Sequence, residues 1–373
     1  MRAALAAGLA ALVLIAPATG AEVRTAVPRD GGAHPGPGER TEWWFAGASD
    51  PGQDLSVAVA LGAEFPATPP ATVVFLYLPG GATHVVGAIR ARGPVATDRS
   101  DVRLGPDRLW SPAPGVHRVT VDMDAGIALH GEPPGPVALD LTLRSSAPGF
   151  TAGPLELPGG QSLWWTVAAP TARVTGTVRV GDRTFRLDGA PGYHDHNFGP
   201  FDLADEAHGG WDWSQVHLPQ GRSLVTGIVR PSDPAPRGGT AVLSGTGGRL
   251  ATAPARAVRV TRDDWDRVGD HHFPRAVTLT MRMTGGWSAQ VRYTARRAAP
   301  LSFTRDGSSA LVEVEARAAG SLSRDGRVVA RWTDAPGFYE YESTAVTRQR
   351  DRVPGSAAWA GRLCRDAADA LRR

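Results

Sequence analysis

Seven segments, at 55–61, 72–78, 137–143, 172–180, 223–229, 276–283 and 310–316, alternate apolar and polar positions or run apolar over seven to nine residues. Residues 137–143, Val-Ala-Leu-Asp-Leu-Thr-Leu, show the pattern best, with a large aliphatic side chain at every second position. That period of two puts successive side chains on opposite faces of a strand, whereas a helix repeats about every 3.6 residues. Gly, Pro or Asp punctuates nearly every segment and no helical pattern intervenes. The strands are therefore expected to pair antiparallel, in sandwiches or barrels.

The pattern changes at both ends. Arg2 precedes an apolar stretch at 3–16, then Pro17 and small residues through Gly20 and Ala21. A short basic start, an apolar run and a small-residue cleavage site make residues 1–21 a signal peptide; a spanning helix needs about 20 apolar residues. The mature chain is expected to be exported, and periplasmic or membrane-associated. Near the other end Trp359, Leu363, Ala367 and Leu371 recur every four residues, the spacing of one helix face. A short C-terminal helix packed on a barrel is expected there; Arg362, Arg365, Arg372 and Arg373 flank it and would also suit a peripheral membrane contact.

An internal likeness suggests how the strands divide. Glu42, Trp44, Gly52, Leu55, Val57 and Val59 match, about half the mature length later, Trp211, Trp213, Gly221, Leu224, Thr226 and Ile228. Both stretches read as a Trp-bearing strand, a Gly turn and an apolar strand. Two similar β domains are expected, at 22–185 and 186–373.

Composition narrows the chemistry. A chain of 373 residues accommodates two domains or one large double-layered β fold. All 40 basic residues are Arg, so Schiff-base chemistry, a P-loop and a lysine base are excluded. The 37 acidic residues are interleaved with them, and a net charge of +3 offers no nucleic-acid footprint. Cys364 is the single cysteine, which excludes an internal disulfide and paired-cysteine metal sites. Neither Gly-x-Ser-x-Gly nor Gly-x-Gly-x-x-Gly occurs, so nucleophilic and nucleotide-dependent classes drop out, and no cofactor is expected.

The densest polar cluster is Tyr193-His194-Asp195-His196-Asn197, between Gly192 and Phe198-Gly199. On a strand, Tyr193, Asp195 and Asn197 share one face and His194 and His196 the other. One reading makes the histidines a metal-chelating pair completed by His208, His217, His271 or His272, none of which stands at a metal-specific spacing. Another turns Tyr193 and Asp195 into a cavity, with the histidines supporting them from behind. A carboxyl buried against aromatic rings loses hydration, its pKa rises, and it can hold a proton at neutral pH for delivery to a weak base. Rings are at hand in Trp164, Trp165, Trp211 and Trp213. The plain alternative is that these tryptophans fill a core and that the polar run is a hydrogen-bonded turn.

Three segments resemble one known family: 28–34 (PRDGGAH) leading to 41–45 (TEWWF), 193–197 (YHDHN) and 210–214 (GWDWS). They are similar to the lipocalin-like carotenoid 1,2-hydratases (hydroxyneurosporene synthases) and their exported relatives of the AttH type. The resemblance implies an all-β fold of two consecutive lipocalin-like barrels and a cofactor-independent hydratase. Its reaction would be acid-catalysed addition of water to the terminal C1–C2 double bond of an acyclic carotenoid or related isoprenoid. It implies Asp195 as proton donor with Tyr193, aided by His194 and His196, and a substrate held by Trp44, Trp164, Trp165, Trp211, Trp213 and Asn197. The family's His two residues before an upstream Trp is absent, since Ser162 and Leu163 precede Trp164. A cyclase-like member of the superfamily, or an exported carrier of a hydrophobic ligand without catalysis, would need the same apolar cavity.

Overall fold

The computed structural model describes residues 21–344 except 37–39, 66–68, 125, 203–208, 231–237 and 303–308. The expected signal peptide and C-terminal helix lie outside the described residues. Among the described residues, helical structure is confined to short 3-10 turns and every strand pair is antiparallel. Each of the seven apolar segments falls on a strand, with only Leu78 and Met283 lying one residue beyond a strand end. Val137–Ser145 buries Val137, Leu139, Leu141 and Leu143 and leaves the residues between them more open, as the period of two requires.

Among the described residues the strands form two curled antiparallel sheets of fourteen and nine strands, the architecture of a lipocalin-like double barrel. The first sheet runs from Val23–Thr25 through Arg183–Gly199, and the second from Trp211–Leu218 through Arg327–Thr344. The hairpin Ser162–Val180/Arg183–Gly199 lies wholly in the first sheet, paired from Trp164↔Phe198 to Val180↔Arg183. The division expected at residue 185 falls inside that hairpin; the change of sheet comes later, between Gly199 and Trp211. Each sheet encloses its own apolar core: Trp44, Val57 and Leu141 belong to the first, and Val216, Val291 and Tyr339 to the second.

A third apolar layer, richer in aromatic rings, sits between the sheets. Phe45, Tyr77, Trp165 and Tyr193 come from the first sheet, and Trp213, Val225 and Phe338 from the second. Fully burying one such side chain stabilises by roughly 1.5–3 kcal/mol, so this layer holds the halves together. Polar ties reinforce it: Tyr77 Oη donates to the Glu313 carbonyl at 2.8 Å, and Ser56 Oγ donates to Glu315 Oε1 at 2.9 Å.

Candidate active site

Arg183–Gly199 changes character along its length. Its first half alternates exposed and buried residues like a strand with one wet face, while Gly192 to Gly199 is buried on both faces. There it runs between Thr41–Asp50 and Ser162–Val180, with Asp195 opposite Phe45 and Val167, and Asn197 opposite Trp43 and Trp165. One face looks into the core of the first sheet and the other into the layer between the sheets. A polar run in this position needs partners for every group it buries.

On the inter-sheet face the partners converge on one carboxyl. Asp195, only 3% exposed, accepts at Oδ2 from Tyr193 Oη at 2.7 Å and from Trp165 Nε1 at 2.8 Å. Its Oδ1 accepts from Asn197 Nδ2 at 3.1 Å. The carboxyl borders a cavity of about 70 Å³, several times the 10–15 Å³ that a single water requires. The first sheet contributes Trp43, Phe45 and Trp165 to its walls, and the second contributes Trp211, Trp213, Ile228 and Glu340. Gly227 also lines it; a Cβ there would stand 3.0 Å from the Trp165 ring, so the absence of a side chain lets the indole lie against the second sheet.

Burial pushes Asp195 up from 3.8 to about 7, against the hydrogen bonds from Trp165 and Tyr193, with the nearby Glu340 adding to the rise. At pH 7 that raises the protonated fraction from roughly one molecule in a thousand to about half. Burial, joined by the charge of Asp195, also drives the Tyr193 hydroxyl well above its usual range, so it remains a donor. The arrangement can therefore present a carboxylic acid proton to an apolar guest in a ring-lined space.

The opposite face is structural in its contacts. His194 donates through Nδ1 to the Phe45 carbonyl at 2.7 Å, and its ring meets His117 edge-on. Burial and that neighbour keep it well below the ordinary histidine range. His196 donates through Nδ1 to the Asp30 carbonyl at 3.0 Å, holds Nε2 3.0 Å from Glu42 Oε1, and stacks on Trp44. Burial would raise Glu42, but hydrogen bonds from His196 and His34 outweigh it and hold the carboxyl at about 2. Asp30, through its backbone carbonyl, and Glu42 are thus tied to His196 on the 193–197 strand.

The structure brings Tyr193, Asp195, Asn197, Trp165, Trp211 and Trp213 together, and it separates four other expected site residues from them. His194 and His196 point away from the cavity because they alternate with Asp195. Trp44 is fully buried in the first core, where its Nε1 donates to the Gly31 carbonyl at 2.8 Å, so it cannot touch a ligand in the cavity. Trp164 lines a separate surface depression with Arg24, His34 and Phe198. A metal site on His194 and His196 would be completed by His208, His217, His271 or His272; His217 bonds Gln215 and Thr171, His271 bonds Ser302, and His208 lies outside the described residues. Among the described residues, the group whose ligand atoms approach closely enough to hold a metal ion is His34, Glu42 and His196, within 4.8 Å of one another.

Trp43, Phe45 and Glu340 also line the cavity, beyond the residues the sequence points to. Alternation in 42–45 pairs Trp43 with Phe45 and Glu42 with Trp44, yet it does not say which pair faces a ligand. Glu313 and Glu340 each stand two residues from another acid, Glu315 and Glu342, and acids alternating with apolar residues along a strand read as its solvent-facing side.

A family model described as a domain of unknown function, DUF7064, matches residues 27–341. The chain belongs to that family. No curated protein matches. Among solved structures, one assigned as AttH from Nitrosomonas europaea superposes with a TM-score of 0.60 at 20% identity, covering 87% of this chain and 97% of that one. Kievitone hydratase from Nectria haematococca superposes at 0.54 with 12% identity, covering 85% and 90%. CghA bound to Sch210972 superposes at 0.54 with 15% identity, covering 82% and 88%. These likenesses establish that this DUF7064 member shares their fold.

Proposed function

We propose that this DUF7064 protein is a cofactor-independent hydratase that adds water to the terminal C1–C2 double bond of an acyclic carotenoid or related isoprenoid. The observation that carries the reading is the Asp195 carboxyl. One of its oxygens is occupied by Tyr193 and Trp165, and the residue borders an aromatic-lined cavity. With Oδ2 accepting two hydrogen bonds, the acidic proton belongs on Oδ1. It adds to C2, the π bond breaks, and a tertiary cation forms at C1. The rings of Trp165, Trp211 and Trp213 stabilise that charge, an effect of about 2 kcal/mol when desolvated. Water then bonds to C1 and its extra proton leaves, which gives a tertiary alcohol with no change of redox state. A cavity of this size suits the branched end of such a chain rather than the whole molecule. One of the fold neighbours is named a hydratase, which supports water addition as the reaction class.

The test incubates the purified full chain with lycopene or neurosporene and analyses the extract by mass spectrometry. Product heavier by one water supports the hydratase, and Asp195→Asn is expected to abolish it while ligand binding persists. Ligand bound and recovered unchanged supports the carrier reading; an isomer of unchanged mass supports the cyclase reading. Full activity of the Asn variant removes Asp195 from the reaction.

A further inference from the structure

The second sheet places a carboxyl in the same cavity that the hydration steps leave unused. Glu340, on Arg327–Thr344, lines the cavity, and Trp211 Nε1 donates to its Oε2 at 2.6 Å. Across the ladder its direct partner is Glu313, on Ser309–Arg324, which is 0% exposed. Neither carboxyl oxygen of Glu313 meets a nitrogen or hydroxyl donor among the described residues. The contrast with Glu315, two residues along the same strand, is informative. Arg297 grips that acid at 2.5 and 2.9 Å and spends its remaining donors on the carbonyls of Asp54 and Leu78. The strand therefore neutralises one buried acid with a cation and sets the other against a second acid.

Two carboxyls facing each other in a dry layer without a cation cannot both be charged, so they share one proton. The Trp211 indole favours charge on Glu340, which leaves the proton on Glu313, directed at its partner. Burial raises both groups, Glu313 the further, and each feels the other. The titratable groups around the pair are Asp195 beside the cavity, Tyr77, whose hydroxyl bonds the Glu313 carbonyl, and the Glu315–Arg297 ion pair behind it.

We propose that Glu340 is the base that takes the proton from the attacking water, and that Glu313 is the positioning residue that keeps the charge of the pair on the cavity side. The proposal rests on the hydratase reading. Asp195 gives its proton to one alkene carbon, and the π electrons form the new C–H bond. The water oxygen bonds to the cationic carbon, and the displaced water proton passes to Glu340. A second water in the cavity returns that proton to Asp195, so alkene and water become alcohol with nothing oxidised or reduced. The single negative charge held by the pair also stabilises the cation from the side opposite the acid.

The experiment measures kcat and KM against pH for the full chain with lycopene, in wild type, Glu340→Gln, Glu313→Gln and Glu313→Leu. Glu340→Gln is expected to lower kcat by about 10²–10⁴-fold with KM changed little, the range for loss of a general base. Glu313→Gln, whose amide still donates to Glu340, is expected to stay within about tenfold of wild type. Glu313→Leu removes the donor, so Glu340 holds its proton to higher pH and the acid limb of the kcat profile moves upward. Wild-type kcat in Glu340→Gln overturns the base, and an unmoved acid limb in Glu313→Leu overturns the pairing. A wild-type protein that binds lycopene without hydrating it overturns the hydratase reading itself, and this role with it. That failure is distinct, because the variants are then never the difference.

Discussion

Asp195→Asn should make the protein more stable in alkaline solution, and the size of the effect follows from burial. The native carboxyl titrates at about 7 where an unfolded one titrates at 3.8. Between those values the native state holds a proton that the unfolded state has lost, so the contribution of this group to stability declines as pH rises through that window and is level above it. At 1.36 kcal/mol for each unit, the total decline is about 4 kcal/mol. Asparagine is close in shape to the protonated acid: its Oδ1 can accept from Trp165 Nε1 and Tyr193 Oη as Oδ2 does. Its Nδ2 then meets the side chain of Asn197, whose amide can turn to present oxygen. Near pH 4 the two proteins should therefore denature at similar urea concentrations. By pH 8 the variant should be ahead by an amount approaching 4 kcal/mol, and titrating groups that do not interact with Asp195 cancel in the difference. Urea midpoints of the full chain at pH 4, 5, 6, 7 and 8 measure this directly. A difference that stays flat across the series, or that grows in favour of the wild type, would show that Asp195 ionises like a surface carboxylate and would remove the acid from the cavity.

Glu42 should behave in the opposite sense. The native carboxyl titrates at about 2, below the ordinary glutamate value of 4.5, so Glu42→Gln should cost about 3 kcal/mol at pH 7, with the gap closing as pH falls below 4.5 towards 2; denaturant midpoints at pH 7 and pH 3 give the comparison, and equal losses at both contradict it. Gly227→Val should drive methyl groups into the Trp165 ring, destabilise by about 1–3 kcal/mol and close the cavity. Quenching of tryptophan fluorescence by added lycopene reports the second effect, and quenching as strong as in wild type would place the ligand elsewhere.

Much of the fold was legible because the period of two is a local property: a strand with one face in a core must alternate, and residues 137–143 do. The same rule separated Tyr193, Asp195 and Asn197 from His194 and His196 without any coordinates. It does not rank the two faces: the histidines and Trp44, which the family resemblance implies for the site, pack into the first core, while Trp43 and Phe45 lie on the cavity side. The change of sheet between Gly199 and Trp211 is hidden from the sequence for a related reason. A hairpin turn at Gly181 looks like any other boundary until pairing partners are known.

The chain by itself determined which segments are strands, which side chains share a face, and that one aspartate stands among aromatic residues. Only the tertiary structure decided which face met the second sheet, and that meeting supplies the desolvation which raises Asp195. It also decided that Glu313 and Glu340, 27 residues apart in the sequence, stand opposite each other beside the same cavity. Burial and proximity between strands distant in sequence depend on how the sheets curl and stack, and no local pattern of residues encodes that.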